Sequence, residues 1–230
     1  MRDGLNFLGV GIYTVAEAAW MTNVSAPRIR RWMRGYKFRV GDETHASPAV
    51  WKPDLPEMGG SIALSFRDLI EVRFVDYFLK EGISWNLLRR AAIYAGKIVE
   101  STHPFSTRKF KTDGQRIFAE LGEKRGGRKI LDLVKKQYTI ASIVAPYLYE
   151  GLEFDADHPR RWFPLKNSKR VVIDPAVAFG QPTINPEGVP TIVLARAFDA
   201  EKNVERVAYW YNVPKRSVQD ALNYQQRVAA

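Results

Sequence analysis

Four arginines within one short stretch, Arg28, Arg30, Arg31 and Arg34, carry the clearest chemistry in this chain. A guanidinium offers a planar fork of donors that grips a phosphate or bridges O6 and N7 of guanine in the major groove. Ser25, just before them, can cap a helix with its hydroxyl. Shortly after them, Lys37 and Arg39 alternate with Tyr36, Phe38 and Val40 in the two-residue period of a strand, where they can reach a DNA backbone. Ser25, Arg28, Arg30, Arg31, Arg34, Lys37 and Arg39 are therefore the candidate contact set for double-stranded DNA.

Groove reading needs these groups on a short exposed helix braced by a second one. Thr14 with Glu17 three residues later is a capping box, and Val15, Ala18 and Ala19 give a small apolar face that admits a close neighbour. Thr22-Asn23 supplies a turn. Ser25 then caps a second helix with Pro27 in its first turn, and Ile29 and Trp32 face the core. Gly35 ends that helix, and the strand 36–40, a polar loop and a return strand at 49–51 form a hairpin wing. Beyond the breakers Pro53, Pro56 and Gly59-Gly60, Ser65 caps a helix with Asp68 at its dipole-favoured end. Its two stripes, Phe66, Ile70, Phe74 and Tyr77, then Leu69, Val72, Val75 and Leu79, predict cover on two faces. Ser84 opens another helix through Leu87, Leu88, Ala91, Ala92 and Ala95. Residues 1–98 thus read as a winged, mainly helical DNA-binding domain.

Residues 99–168 change character. His103-Pro104-Phe105 opens a stretch predicted to form two strands around Thr112-Asp113-Gly114, followed by a basic glycine-bearing loop at 124–129, a third strand at 129–134 and a helix at 139–149. This predicts a small α+β connecting module. Glu153, Asp155, Asp157 and His158 have metal-ligand chemistry and close spacing, but no second ligand cluster accompanies them. No catalytic group, metal or cofactor is assigned, and the chain is not expected to be an enzyme.

Residues 169–230 open on a strand at 169–173 and a loop marked by Pro175, Gly180, Pro182, Pro186, Gly188 and Pro190. Three helices follow: one capped by Thr191, one over 203–211, and one opened by Pro214. The last two again surround a short turn, so Lys215, Arg216, Ser217 and Gln219 at the start of the third form a second candidate contact, to DNA or to a protein partner. Phe198, Tyr209, Trp210, Tyr211 and Tyr224 are many aromatics for so small a domain, as core or as interface anchors. The fold class expected for the whole chain is mainly α with small β elements.

Composition points the same way. The formal charge is +10 and the pI about 9.8, which favours a polyanionic partner. Cysteine is absent, which excludes disulfide frameworks, thiolate zinc sites and cysteine nucleophiles. With 46% hydrophobic residues, the chain can bury a real core. No apolar run reaches transmembrane length and the N-terminus lacks a secretory pattern, so the expectation is a cytoplasmic protein with no membrane partner.

Two resemblances sharpen these expectations. The order helix, turn, arginine helix, "RGY" hairpin and "LSFRDLIEVRFVDYFLKEGISWNLLRRA" resembles the DNA-binding domain of MerR-family regulators, in which the second helix and wing contact DNA. The long dimerising helix of that family is interrupted here by His103-Pro104-Phe105, so effector sensing is not carried over. Asp174-Pro175, Phe179-Gly180-Gln181-Pro182 and Val189-Pro190-Thr191 resemble the small domain of VapB-type antitoxins, although Asn185-Pro186-Glu187 stands where that domain has a shorter glycine turn. The resemblance implies an antitoxin that binds a PIN-domain ribonuclease toxin, forms a homodimer and represses its own promoter. The alternative is a stand-alone MerR-like regulator that senses an unknown ligand. A third reading, a nuclease using Asp155, Asp157 and His158, lacks a paired-carboxylate constellation.

Overall fold

The computed structural model describes residues 9–111, 148–166 and 168–229. The strands and helix predicted between 112 and 147, and the basic loop at 124–129, lie outside them. Helices and small antiparallel sheets make an α+β fold divided between two compact units. One comprises residues 14–150 with 154–159, and the other residues 1–13, 151–153 and 160–230. Among the described residues, no helix is long and apolar enough to cross a membrane.

β1 (Tyr13–Thr14) ends on the residue that opens the first unit, Thr14, and leads into α1 (Val15–Thr22), whose capping box forms as expected: Thr14 Oγ1 accepts from Glu17 N–H at 3.1 Å, and Thr14 N–H donates to the Glu17 carboxylate at 2.8 Å. Asn23, at φ 55°, turns the chain into α2 (Ala26–Arg34). Ser25 has the backbone geometry of an N-cap, yet its hydroxyl makes no capping bond. Ile29, Trp32 and Met33 form the buried face of α2.

The wing departs from expectation. β2 (Tyr36–Val40) pairs antiparallel with β3 (Glu43–Ser47), not with residues 49–51. Gly41 and Asp42 alone form the loop, with Gly41 at φ 62°. A two-residue turn with glycine first closes a hairpin immediately, and this local chemistry overrides the more distant apolar run. Val50 and Trp51 are buried instead, and Val50 N–H donates to Trp32 O at 2.8 Å.

After β4 (Ala63–Leu64), α3 (Phe66–Lys80) is buried on both predicted stripes, with Phe66, Ile70 and Phe74 on one and Leu69, Val72 and Val75 on the other. α4 (Trp85–Val99) follows, capped by Ser84. The segment after 103 is not the expected strand. Thr107 Oγ1 accepts from Phe110 N–H at 3.0 Å, an N-cap bond, and residues 108–111 are helical.

His103, Pro104 and Phe105 are held on α3 by buried carboxylates. His103 Nε2–H donates to Asp68 Oδ1 at 2.8 Å, Trp51 Nε1–H donates to the same oxygen at 2.6 Å, and Ser65 N–H donates to Asp68 Oδ2 at 2.8 Å. Glu71 accepts the backbone N–H groups of Phe105 and Ser106 at 3.1 and 3.0 Å. Burial pushes the Glu71 carboxyl up to about 7, against the opposing pull of His103 and of the two N–H groups. Between the ordinary carboxylate value of 4.5 and about 7, the folded chain then holds more proton than the unfolded one, so stability falls as pH rises through that window. We expect urea unfolding to show a loss on the order of 2 kcal/mol from pH 4.5 to 7, and Glu71→Gln to flatten it. An undiminished slope in Glu71→Gln would assign the effect to another group.

The second unit contains the sheet made by β5 (Leu152–Asp155), β6 (His158–Trp162), β7 (Val171–Ile173) and β8 (Pro182–Ile184), adjacent in that order. The tip of the first hairpin, 154–159, counts with the other unit. β7 and β8 pair antiparallel, with Val172 opposite Thr183. The proline-rich loop between β8 and the next helix is tied down by Ile184 N–H to Val189 O at 2.9 Å and Asn185 N–H to Arg170 O at 2.7 Å. Then come α5 (Thr191–Glu201), α6 (Val204–Trp210) and α7 (Lys215–Ala229). Thr191 does not cap α5. It is the first residue inside the helix, and its buried hydroxyl donates to Pro182 O at 3.2 Å and accepts from Gln225 Nε2 at 2.8 Å. Val207, Val218, Ala221 and Tyr224 build the core between these helices.

Candidate nucleic-acid interface

The seven residues singled out for DNA contact are carried by the continuous run from the N-cap of α2 through β2, and the structure separates them by environment. Arg30 projects to solvent and has no partner among the described residues. Arg31 is exposed, with its guanidinium carbon 5.6 Å from the centre of the Tyr36 ring, a cation–π contact that limits its freedom. The Ser25 hydroxyl is exposed and unspent on capping.

Arg28 and Arg34 are engaged within the protein. Arg28 Nη1 lies 2.9 Å from Asp76 Oδ1 on α3, and its guanidinium stacks 5.0 Å over the Trp32 ring. Arg34 donates from Nε to Glu57 at 2.6 Å and from Nη2 to Gly60 O at 2.8 Å. Sequence reading missed Asp76 and Glu57. Asp76 had a signal, an acid flanked by Val75 and Tyr77 in a helix buried on two faces, where a charge must be paired.

On the wing, the register divides the side chains between two faces. Lys37 opposes Ala46 and Arg39 opposes Thr44, so both basic groups share one face, and both are exposed. The other carries Tyr36, Phe38 and His45, with Phe38 and His45 stacked across the strands at 5.6 Å. The wing root is fixed to α4, since Trp85 Nε1–H donates to Ser47 Oγ at 3.1 Å and Trp85 stacks on Trp32 at 6.4 Å. Rigid support of a basic ribbon beside a basic helix is what groove docking requires.

The second candidate set, on α7, is differently placed. Lys215 pairs with Glu205 at 2.9 Å, Arg216 lies 3.9 Å from Asp220, and Gln219 donates to Asn223 at 3.2 Å. Ser217 is fully buried: its hydroxyl donates to Glu187 at 3.0 Å and accepts from Arg170 Nη2 at 2.6 Å. Nearby on α6 and its C-cap, Tyr209 is 84%, Trp210 58% and Tyr211 37% exposed, whereas Tyr224 is core. Phe179 is also exposed, in a turn of left-handed residues locked by Tyr13, whose hydroxyl donates to Gly180 O at 2.9 Å.

The acidic group weighed for metal binding from sequence is dispersed into ion pairs: Glu153 with Arg161 at 2.6 Å and Lys169 at 2.9 Å, Asp157 with Lys109 at 3.5 Å. Asp54, Asp68 and His103 do bring ligand-type atoms within 4.8 Å of one another. Their valences are already filled, because Arg67 forks onto both Asp54 oxygens at 2.9 and 2.7 Å and Asp68 accepts from Trp51, Ser65 and His103. The donor set suits a structural hydrogen-bond network.

Comparison with known proteins adds three findings. Over 225 residues, covering 93% of this chain and 93% of the relative, the sequence is 26% identical to a protein of Mycobacterium tuberculosis (strain ATCC 25618 / H37Rv) named Putative antitoxin VapB45. The fold is shared with the crystal structure of Rv2018 from Mycobacterium tuberculosis, at a TM-score of 0.72 and 21% identity over 94% of this chain and 99% of that one. Residues 171–225, from β7 into α7, match a family described as Protein of unknown function (DUF433).

Proposed function

We propose that this chain is an antitoxin that binds and neutralises a PIN-domain ribonuclease toxin and, as a homodimer, represses its own operon. The observation that carries the reading is the likeness, sustained over 93% of both chains, to a relative whose name is that of an antitoxin. Exposed Ser25, Arg30, Arg31, Lys37 and Arg39 support the DNA-binding half, with α2 entering the major groove and the wing lying along the backbone. A two-fold dimer matches a palindromic operator with half-sites one helical turn apart. The exposed aromatics of α6 support the other half, since Tyr and Trp are the usual anchors of protein interfaces. The neutral balance of the segment from 171 onward, six basic against six acidic residues, also suits a protein partner better than DNA.

The test is co-expression with the product of the adjacent gene, followed by promoter titration with and without that partner. We expect a stable complex, suppression of the partner's ribonuclease activity, and promoter affinity that falls steeply with salt. Promoter binding without any complex would overturn the antitoxin assignment.

A further inference from the structure

We infer that Asp76 and Arg28 form a brace that sets how α2 is presented to DNA, and that Arg28 positions the reading helix without itself touching a phosphate. The inference rests on the DNA-reading half of the proposed function. Arg28 lies in the first turn of α2, the end of a recognition helix that reaches base edges. Its guanidinium is held from two directions, by Asp76 Oδ1 at 2.9 Å and by the face of Trp32 at 5.0 Å. Asp76 has only 7% of its side chain exposed, and its other oxygen takes Lys80 Nζ at 2.7 Å. Swinging Arg28 out to a phosphate would leave that buried carboxylate with one solvent-exposed lysine for a partner. A buried charge losing its partner costs more than an exposed ion pair contributes.

Val50 N–H to Trp32 O and the bonds of Arg34 to Glu57 and Gly60 O tie down the C-terminal half of α2, whereas the apolar contacts of Ile29, Trp32 and Met33 are non-directional and leave the placement of its N-terminal end weakly defined. The ion pair from Arg28 to Asp76 in the C-terminal half of α3, with the Trp32 ring on the other side of the guanidinium, holds that end of α2 from two directions and defines it. Base-edge bonds depend on that placement to a fraction of an ångström, whereas phosphate attraction does not. The brace should therefore govern specific affinity and leave non-specific affinity alone.

The experiment is anisotropy titration of the full chain on its own promoter duplex and on a scrambled duplex, over a salt series. Arg28→Ala, Asp76→Asn, their combination and Arg30→Ala are compared, with circular dichroism and thermal melting to verify folding. We expect Arg28→Ala and Asp76→Asn each to weaken promoter binding by about tenfold, with the scrambled duplex unaffected, the salt slope unchanged and the double variant no worse than either single one. Arg30→Ala should lower the slope by about one, the signature of a lost phosphate contact. Arg28 is half-exposed, whereas Asp76 is buried, so the Arg28 variant tests the brace even if Asp76→Asn fails to fold. A slope reduced by about one in Arg28→Ala would overturn the inference, as would unchanged promoter affinity in that variant. If the wild-type chain does not prefer its promoter, the DNA-reading proposal itself fails, an outcome distinct from either of these.

Discussion

Replacing His103 with alanine is expected to destabilise the first unit by about 3–5 kcal/mol, the largest loss from any single side chain discussed above. The residue is 1% exposed, and its imidazole bridges Asp68 Oδ1 at 2.8 Å and the Thr102 hydroxyl at 2.9 Å. Burial alone would push the Asp68 carboxyl up, but the hydrogen bond and charge of His103, with the Ser65 and Trp51 N–H groups, hold it below the ordinary value. Burial likewise disfavours a charged His103, and Asp68, then Glu71 and Asp54, reverse that and raise it. The pair is thus charged on both sides inside the protein. His103→Ala strips the buried Asp68 carboxyl of its charged partner, leaving the Trp51, Ser65 and Asp54 N–H groups as donors, and opens space beside Trp51, whose ring centre is 6.4 Å from that of His103. Urea unfolding followed by tryptophan fluorescence measures the loss, and Asp68→Asn in the His103→Ala background should recover part of it. A cost below about 1 kcal/mol would remove this network from the supports of the fold.

Gly35→Ala should cost about 3 kcal/mol or more and detach the wing from α2. Gly35 has φ 73° and ψ −176°, a region open essentially to glycine alone. A β-carbon there would overlap the Ser47 carbonyl oxygen and come 2.9 Å from Pro48 Cα, and both obstacles are backbone. Relief requires β3 to move away, which breaks the Trp85–Ser47 hydrogen bond and the handover from α2 into β2. Promoter affinity should fall together with the melting temperature. Gly41→Ala is the control: φ is 62°, but nothing lies within 4 Å of the added carbon, so only the left-handed backbone cost of about 1 kcal/mol remains. Equal melting temperatures for the two variants would show that the junction yields.

The helices were legible because their signals are local. Thr14 with Glu17, Ser65 with Asp68 and Ser84 each cap from within one turn, and Asn23, Gly35 and Gly82 stop helices by their own backbone freedom. The return strand of the wing was misplaced because the apolar run at 49–51 looked like a strand, while Gly41-Asp42 had already closed the hairpin. Residues 103–111 looked extended because the hairpin-turn signal Thr112-Asp113-Gly114 follows them. The acceptors that bend them, Asp68 and Glu71, lie more than thirty residues away in sequence.

By itself, the amino-acid sequence determined that a short helix and an adjoining ribbon would be basic, that small antiparallel sheets would accompany the helices, and that no thiol chemistry is available. Capping, turn formation and charge are properties of neighbouring residues, so no tertiary information was needed. Only the tertiary structure decided which basic groups are free. Arg28 and Arg30 are the same residue type two positions apart, yet Asp76 claims the first and nothing among the described residues claims the second. Ser217 looked like a surface hydroxyl at a helix start and is buried between Arg170 and Glu187. Pairing depends on which distant acid the fold brings within 3 Å, and Coulomb and hydrogen-bond energies fall too steeply with distance for composition to reveal it.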